Sequence, residues 1–211
     1  MDTITAAFFE ASDAAVRLVG TPAVSARWDA PSILPGYTVG GLAAHLARSV
    51  HTVETYTAAG PAPADSTLLT AAEYFATALG DHDPVDSDLH ARVRARGEEA
   101  AEAGPTEVVD RLRVAVDRLG RADLDVDGPV TVLNDLTMRL GDYLETRLVE
   151  LAIHSVDLAE SVDADPPTYR APVWEVVARV VVATAVQRTT ARSFALAAAR
   201  PERHGPVQAF G

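Results

Sequence analysis

Apolar residues recur at intervals of three and four positions through most of the chain, which is the spacing of helices that bury one face. The first such segment spans Thr3–Val19, and Gly20 and Pro22 end it. Thr38 is a suitable N-cap for a second helix, which we predict to end at Gly60. Few segments show the alternating pattern of strands. The pattern therefore predicts an all-α protein.

Helical segments and short turns continue to the end of the chain, and the turns are rich in Gly, Pro and Asp. A weak third helix is predicted at 66–79. Residues 81–104 and 105–120 predict either two helices or one helix broken at Gly104 and Pro105. The remaining predicted elements are a loop with a short extended piece at 123–133, a helix over Leu140–Ser161, an apolar helix over 172–190, a short alanine-rich helix and a loose tail.

No stretch of the chain resembles a linker or an internal repeat, so we expect one helical domain over residues 1–211. Within it, the core bundle is expected at about 1–165, additional C-terminal helices at about 171–200 and the tail at 201–211. The N-terminal residues do not form a basic and apolar leader, and no apolar run reaches the ~18 residues of a membrane span. We therefore expect a soluble, cytoplasmic protein.

The chain has 30 acidic and 18 basic residues and a formal net charge of −12. Such a surface repels the phosphates of nucleic acid and of anionic lipid, so we expect neither nucleic acid nor a membrane as a partner. Cysteine is absent, which excludes disulfides, thiolate metal ligands and a cysteine nucleophile. Any thiol chemistry must therefore use an external thiol.

One predicted helix carries a row of ionisable residues among apolar ones. Arg147, Glu150, His154 and Asp157 lie within about 80° of its circumference, with apolar side chains on both flanks. The opposite face carries the small and polar residues that we predict to face solvent: Glu145, Ala152, Ser155 and Ala159. The ionisable row is therefore predicted to point inward.

An unpaired ion inside a domain costs several kcal/mol, so the row needs partners. Ion pairing within the row is one interpretation, because Arg147 and Glu150 are three positions apart and Glu150 and His154 are four apart. Metal binding is the other, because two ligands four apart on a helix can reach one ion. His45, on an inward face of the second helix, is a candidate third ligand. Three such ligands from facing helices leave a position open for water or substrate.

Two segments resemble a known family. The tract WDAPSILPGYTVGGLAAHLARS, which contains His45, and the tract DYLETRLVELAIHSVDLA, which contains Glu150 and His154, are similar to signatures of the mycothiol-dependent maleylpyruvate isomerase N-terminal domains, in the DinB-like superfamily. The resemblance covers most of residues 1–165, with Tyr37 where many relatives have Trp. It implies a DinB-like four-helix bundle with additional C-terminal helices, in which a divalent metal is bound by His, Glu and His. The matching positions here are His45, Glu150 and His154.

The resemblance also implies an activity. A metal with an open position can bind a thiol and stabilise its thiolate, and relatives use low-molecular-weight thiols such as mycothiol. We expect a thiol transferase or thiol-assisted isomerase that acts on a small electrophile and depends on a divalent metal, taken as zinc, with nickel or iron as alternatives. The isomerase itself has a sterol-carrier-like C-terminal domain that helps to complete its active site, and this sequence ends before it. We therefore do not assign isomerisation of maleylpyruvate itself.

Two further residues belong to this site hypothesis. Asp157 is predicted either to orient a metal ligand or to pair with Arg147. Arg147 is predicted to contact an anionic part of the thiol or of the substrate, or to serve a structural ion pair. A bundle that binds metal or a small ligand without turnover, in sequestration or stress response, uses the same ligands and stays open as an alternative. Pairing of two copies through the apolar helix at 172–190 is a further option.

Other patterns have less support. Asp123, Asp125, Asp127 and Gly128 match the opening of an EF-hand calcium loop, but Asn134 stands where the bidentate Glu is needed, so an acidic solvated turn is favoured. We predict that the remaining histidines are solvated, near a helix cap or in the tail: His51, His82, His90 and His204. Trp28 and Trp174 adjoin apolar runs and are predicted to be core anchors.

Overall fold

The computed structural model describes residues 2–63, 65–79, 88–200, 202 and 209, except for the side chains of Leu79, Leu89, His90 and Asn134. Nine α-helices lie within these residues: α1 (Thr3–Val19), α2 (Pro22–Ala26), α3 (Val39–Ala58), α4 (Ala71–Leu79), α5 (Asp88–Ala101), α6 (Pro105–Arg121), α7 (Leu140–Ser161), α8 (Ala171–Arg188) and α9 (Ala191–Ala199). The predictions for His82 and His204, for most of the tail and for the side chains of His90 and Asn134 lie outside the described residues.

Four long helices form a ring around the core. The α1 helix packs against α6 and α7, and α3 packs against the same two helices from the other side. Outside the ring, α5 lies along α3, α8 covers α4 and α7, and α9 contacts α8. The four-helix bundle with additional C-terminal helices is therefore confirmed. None of the described helices is long and apolar enough to cross a bilayer.

The helix boundaries follow from local chemistry. Asp2 Oδ1 accepts a hydrogen bond from the Thr5 amide at 3.0 Å, and Thr38 Oγ1 accepts one from the Gly41 amide at 2.8 Å, so both helix starts are capped as N-cap rules require. Gly104 adopts a φ of 82°, which a helix interior does not allow. The segment around it therefore forms two helices, α5 and α6, and the alternative of one bent helix is excluded.

The structure contains a small sheet and one short helix, α2, that were not predicted from the sequence. Strands β1 (Leu68–Leu69), β2 (Pro129–Thr131) and β3 (Thr137–Arg139) are ordered β1-β3-β2, with β1 parallel and β2 antiparallel to β3. The third helix, predicted from residue 66, begins at Ala71, because β1 pairs with β3 and Thr70 shares hydrogen bonds with Glu73 at the helix start. Only the extended piece that became β2 was expected.

The prediction that one face of α7 is exposed to solvent is wrong. Ala152, Ser155 and Ala159 are fully buried, since α1 and α8 both pack against α7. Glu145 on the same face forms an ion pair at 2.6 Å with Arg179 of α8. Small side chains allowed neighbouring helices to approach closely, whereas the prediction treated small and polar residues as surface residues. Most of α7 is therefore covered by other helices.

The α3 and α7 helices run antiparallel, in a register fixed by side chains. The Tyr143 hydroxyl donates a hydrogen bond to Thr52 Oγ1 at 2.7 Å, and seven residues away on each helix His45 lies against Glu150. Seven residues are two helical turns, so both contacts fall on the same faces. The fully buried Leu46 and Leu144 belong to the core between and around these helices. This register places the ionisable row of α7 opposite His45.

The N-terminal half of α3 is held by α5. Both carboxylate oxygens of Glu98 accept hydrogen bonds at 2.8 Å from Thr38, one from its amide and one from its hydroxyl. Trp28 is buried and donates a hydrogen bond to the Ala101 carbonyl at 3.1 Å, so the core prediction for Trp28 is confirmed. Trp174, in contrast, is 41% exposed on α8, and the same prediction for it is wrong. The α5 helix thus fixes the segment of α3 that carries His45.

A candidate metal centre between α3 and α7

Three potential metal ligands converge from the two antiparallel helices. Glu150 Oε2 lies 3.3 Å from His45 Nε2 and 3.3 Å from His154 Nε2. The ligand atoms of these three residues all lie within 4.8 Å of one another, and no other such group of His, Asp and Glu occurs among the described residues. The three residues predicted as ligands are therefore neighbours in space, although 105 positions separate His45 from Glu150.

The second nitrogen of His154 is occupied. His154 Nδ1 lies 2.8 Å from Asp157 Oδ2, so this nitrogen donates a hydrogen bond to the carboxylate. That contact directs Nε2 toward Glu150 and His45, which is the usual arrangement of metal-binding histidines. Of the two predicted roles of Asp157, the contact corresponds to orienting a ligand. No ion pair joins Asp157 to Arg147 in the described structure.

Neighbouring charges set the protonation of the cluster. Burial alone would raise the pKa of the Glu150 carboxyl, but hydrogen bonds from His154 and His45 and the Arg147 charge lower it well below its ordinary value. Burial would lower the pKa of His154, but the carboxylates of Asp157 and Glu150 raise it to about 9. Burial lowers the pKa of His45. At neutral pH the cluster without metal therefore contains ionised Glu150, protonated His154 and neutral His45.

The donor set fits a divalent ion. Tetrahedral ligands bound to zinc at ~2.0–2.2 Å are ~3.3–3.5 Å apart, which agrees with the two distances of 3.3 Å from Glu150. Charge-assisted hydrogen bonds between such groups are shorter, typically ~2.7–2.9 Å. His45 Nδ1 is buried without a hydrogen-bond partner among the described residues, so nothing anchors the ring through this nitrogen. Its ring packs instead against Tyr37, with 5.7 Å between ring centroids.

Arg147 lies beside the cluster without joining it. Its guanidinium carbon is 4.9 Å from the centroid of the Tyr143 ring and 5.9 Å from that of Tyr74, and Nε donates to Thr146 Oγ1 at 3.0 Å. The ion pair between Arg147 and Glu150, one of the predicted interpretations, is not formed. Two tyrosine rings hold the guanidinium, and Arg147 acts on Glu150 through its charge alone.

Several residues around the cluster were not predicted as part of the site. Tyr143 and Thr52 fix the helix register, Tyr37 contacts His45, and the Tyr143 ring lies edge-on to those of Tyr56 and Tyr74. Tyr56 and Thr52 share a helix face with His45, so their spacing along α3 indicated that they could lie near the site. Nothing in the sequence near Tyr74 relates it to α7, because α4 reaches the site only through tertiary packing.

Two cavities are described, and none of the three candidate ligands lines either. One, of about 370 Å³, lies between α3 and α6, and His51 lines it half-buried rather than solvated as predicted. The other, of about 470 Å³, adjoins the acidic loop after α6. In that loop Asp125 Oδ1 accepts from the Asp127 amide at 3.3 Å, as in a turn, and its acidic groups do not converge as a metal site would. The structure of this loop therefore supports the prediction of an acidic solvated turn.

Comparison with known proteins gives a family and a fold. The sequence profile of the mycothiol maleylpyruvate isomerase N-terminal domain matches residues 8–159. A crystal structure of the mycothiol-dependent maleylpyruvate isomerase has a TM-score of 0.55 and 19% identity, covering 92% of this chain and 73% of that one. A histidine-to-alanine mutant of that isomerase gives the same TM-score and coverage at 17% identity. These structures share the DinB-like fold. No curated protein matches the chain.

Proposed function

The chain belongs to the mycothiol maleylpyruvate isomerase N-terminal domain family, and from this premise we propose that it catalyses a metal-dependent reaction of a low-molecular-weight thiol with a small electrophile. His45, Glu150 and His154 are the proposed ligands of a divalent ion, for which zinc suits the two imidazoles and one carboxylate. A mycothiol-like thiol is the proposed cosubstrate. The chain has no cysteine that could replace it.

One observation supports this proposal more than any other. The three donor atoms lie within 4.8 Å of one another, and Asp157 holds the remaining nitrogen of His154. An ion-pair cluster that serves only stability needs neither two imidazole nitrogens at 3.3 Å from one carboxylate oxygen nor an imidazole oriented by a second carboxylate. Three protein ligands also leave a position free, which is the pattern of catalytic rather than structural zinc.

In the proposed reaction, the ion and the protein side chains have different roles. A bound divalent ion supplies Lewis acidity, which lets a thiol ionise near neutral pH. The thiol would lose its proton to solvent, and the sulfur would add to a carbon–carbon double bond conjugated with a carbonyl group, with the π electron pair moving onto the carbonyl oxygen. Protonation of this enolate and release of the adduct would complete a transfer. Rotation about the resulting single bond, followed by return of the electron pair and loss of the thiolate, would complete an isomerisation. In both cases Asp157 keeps His154 oriented, and Arg147 offers positive charge to an anionic reactant.

Metal analysis of the purified protein tests the ligand set. We expect about one divalent ion per chain in the wild type and loss of most of it in His45→Ala and in His154→Ala. His51→Ala is the matched control, because His51 is on the same helix as His45 and lies outside the cluster. Equal metal content in all four proteins would disprove the metal site.

Turnover is tested separately. We expect the metal-loaded wild type to convert maleylpyruvate or another activated electrophile in the presence of mycothiol, and His154→Ala to lose this activity while keeping its helical circular dichroism spectrum. Thiol consumption and product formation are measured together, because transfer consumes the thiol and isomerisation returns it. Activity that survives in His154→Ala would contradict the assignment.

The same three ligands would also serve a second function, that of a bundle which binds metal or a small ligand without turnover. This function predicts metal bound at the same three residues and no reaction across a panel of thiols and electrophiles. The same two experiments therefore separate the two functions.

A further inference from the structure

Arg147 is a partly buried cation that forms no ion pair with a carboxylate among the described residues, although the charge of Glu150 acts on it from nearby. Its Nε donates to Thr146, and the other contacts of the guanidinium are the rings of Tyr143 and Tyr74. The described arginines that approach a carboxylate do so at the surface, as Arg113 does with Asp110 at 2.7 Å. Arg147 differs because it lies against the centre of the bundle beside Glu150 and His45.

This arrangement leaves hydrogen-bonding capacity unused. A guanidinium has five N–H donors, and only the one on Nε has an acceptor among the described residues. The Tyr143 and Tyr74 rings offer no hydrogen-bond acceptor of the carboxylate kind, and no terminal N–H group of Arg147 has a hydrogen-bond partner among the described residues. The terminal nitrogens form the fork that binds a carboxylate through two parallel hydrogen bonds.

The position of this fork relates it to the proposed metal ligands. Arg147 precedes Glu150 by three residues on α7, so the two side chains start about 5–6 Å apart on one helix face. The guanidinium lies beside the Tyr143 ring, so an anion bound at its terminal nitrogens would lie on the N-terminal side of the ligand cluster along α7. A reactant that reaches both would carry its reacting carbon at one end and a carboxylate at the other.

We propose that Arg147 determines specificity in this site by binding the carboxylate of a reactant through its terminal N–H groups, with Tyr143 and Tyr74 holding the guanidinium for that contact. The proposal rests on the proposed function, because it concerns a reactant of the same site. The carboxylate belongs either to the electrophile or to the thiol. A small neutral reactant of the same shape should bind more weakly.

Binding of small probes to the metal-loaded protein tests this, by calorimetry or ligand-observed NMR. Succinate and uncharged succinamide represent an electrophile with and without carboxylates, and mercaptoacetate and mercaptoacetamide represent a thiol. We expect Arg147→Met to weaken succinate, mercaptoacetate or both by about tenfold or more, and to leave the amides unchanged. Arg147→Lys should recover part of the loss, because it keeps the charge without the fork. A loss limited to one acid identifies which reactant carries the carboxylate.

Two controls separate Arg147 from its neighbours. Arg113→Met removes an exposed arginine of α6 and should change nothing. Metal content, measured in every variant, should stay at the wild-type level in Arg147→Met, and repeating the titrations on protein stripped of metal shows whether the acids bind at the ion instead. The proposal is overturned if Arg147→Met leaves all acid affinities unchanged, or if succinate, which has no thiol, no longer binds once the metal is removed.

The two proposals can fail independently. A wild-type protein that binds no metal would refute the proposed function, yet carboxylate selectivity lost on Arg147→Met would still be measurable in it. Conversely, intact metal binding and turnover with no effect of Arg147→Met on the acids would refute only the role of Arg147.

Discussion

A single carboxylate, that of Asp157, determines which nitrogen of His154 faces the candidate site. Because Nδ1 donates to Asp157, the other nitrogen is directed toward Glu150 and His45. The same carboxylate helps to keep His154 protonated when no metal is present. A metal ion at the proposed site would therefore compete with a proton for one atom, Nε2 of His154, and two predictions at the scale of residues follow from this competition.

The first prediction concerns pH. The pKa of His154 is raised to about 9, whereas Glu150 is ionised and His45 neutral near neutral pH. Metal binding near pH 7 should therefore release about one proton, and apparent affinity should rise about tenfold per pH unit up to about pH 9. Calorimetry in buffers of different ionisation enthalpy measures the proton count. Release of no proton would show that the ion does not displace the proton of His154.

The raised pKa of His154 makes the metal-free protein less stable, not more, as pH rises. His154 gains its proton more readily in the folded state than in the unfolded state, so its protonation stabilises the fold. This contribution is fully present below the ordinary pKa of about 6.5 and is lost as pH rises through about 9. Stability that increases over this alkaline range would contradict it.

The second prediction concerns Asp157→Asn. The amide keeps the size of the side chain but removes the charge that favours protonated His154, so the pKa of His154 should fall. Metal affinity should drop by about 10- to 100-fold, the usual effect of removing such a supporting carboxylate. NMR titration of the imidazole and competition with a chelator measure the two effects. Asp110→Asn, at an exposed position of α6, is the matched control.

At the scale of elements, capping and turn chemistry predicted the long helices well. The start of α3 was expected from the Thr38 cap and that of α1 from apolar spacing, and α7 has the predicted bounds. The short elements were missed for different reasons. The α2 helix begins with a Thr21 cap and Pro22, a local signal that was interpreted only as the end of α1, whereas the two residues of β1 form a strand only through pairing with β3. The close contact between α3 and α5 at Gly41 and Gly97 was also not predicted, because glycines do not contribute to the apolar spacing from which helix faces are recognised.

The third prediction concerns the contact between α3 and α5. A Cβ at Gly97 would lie 2.8 Å from the carbonyl oxygen of Gly41, so Gly97→Ala must push α5 away from α3. We expect a loss of about 1–3 kcal/mol in the free energy of unfolding, measured with denaturant. Gly120→Ala is the matched control, since its Cβ would meet nothing closer than 4.0 Å and alanine favours a helix. It should leave stability unchanged or raise it.

At the scale of the whole molecule, the bundle joins ligands that are far apart in the chain. The helical periodicity predicted an all-α protein, the family resemblance implied the four-helix bundle, and the residue spacing on α7 with His45 predicted which side chains would meet. The sequence could not show which faces the neighbouring helices would cover, so the buried back of α7 and the role of Tyr74 were not foreseen. Helix order around the ring depends on long-range packing that no local pattern encodes.

The fourth prediction belongs to this scale. Because the proposed ligands come together only in the folded chain, metal should bind the native state and raise the melting temperature. At a free zinc concentration 100 times Kd the gain is about 2.7 kcal/mol, or about 5–10 °C for a chain of this size. Differential scanning calorimetry should show this shift in the wild type and in His51→Ala. The melting temperature of His45→Ala should stay unchanged when zinc is added.

The shared seven-residue interval between Thr52 and His45 on α3, and between Tyr143 and Glu150 on α7, has a consequence for how the gene can vary. Insertion or deletion of a single codon within either interval would rotate one end by about 100° relative to the other, so that only one of the two contacts could form. Loops elsewhere can change length without this penalty. Among homologues that bind metal in this way, gaps should therefore be absent from these two intervals even where the residues inside them differ.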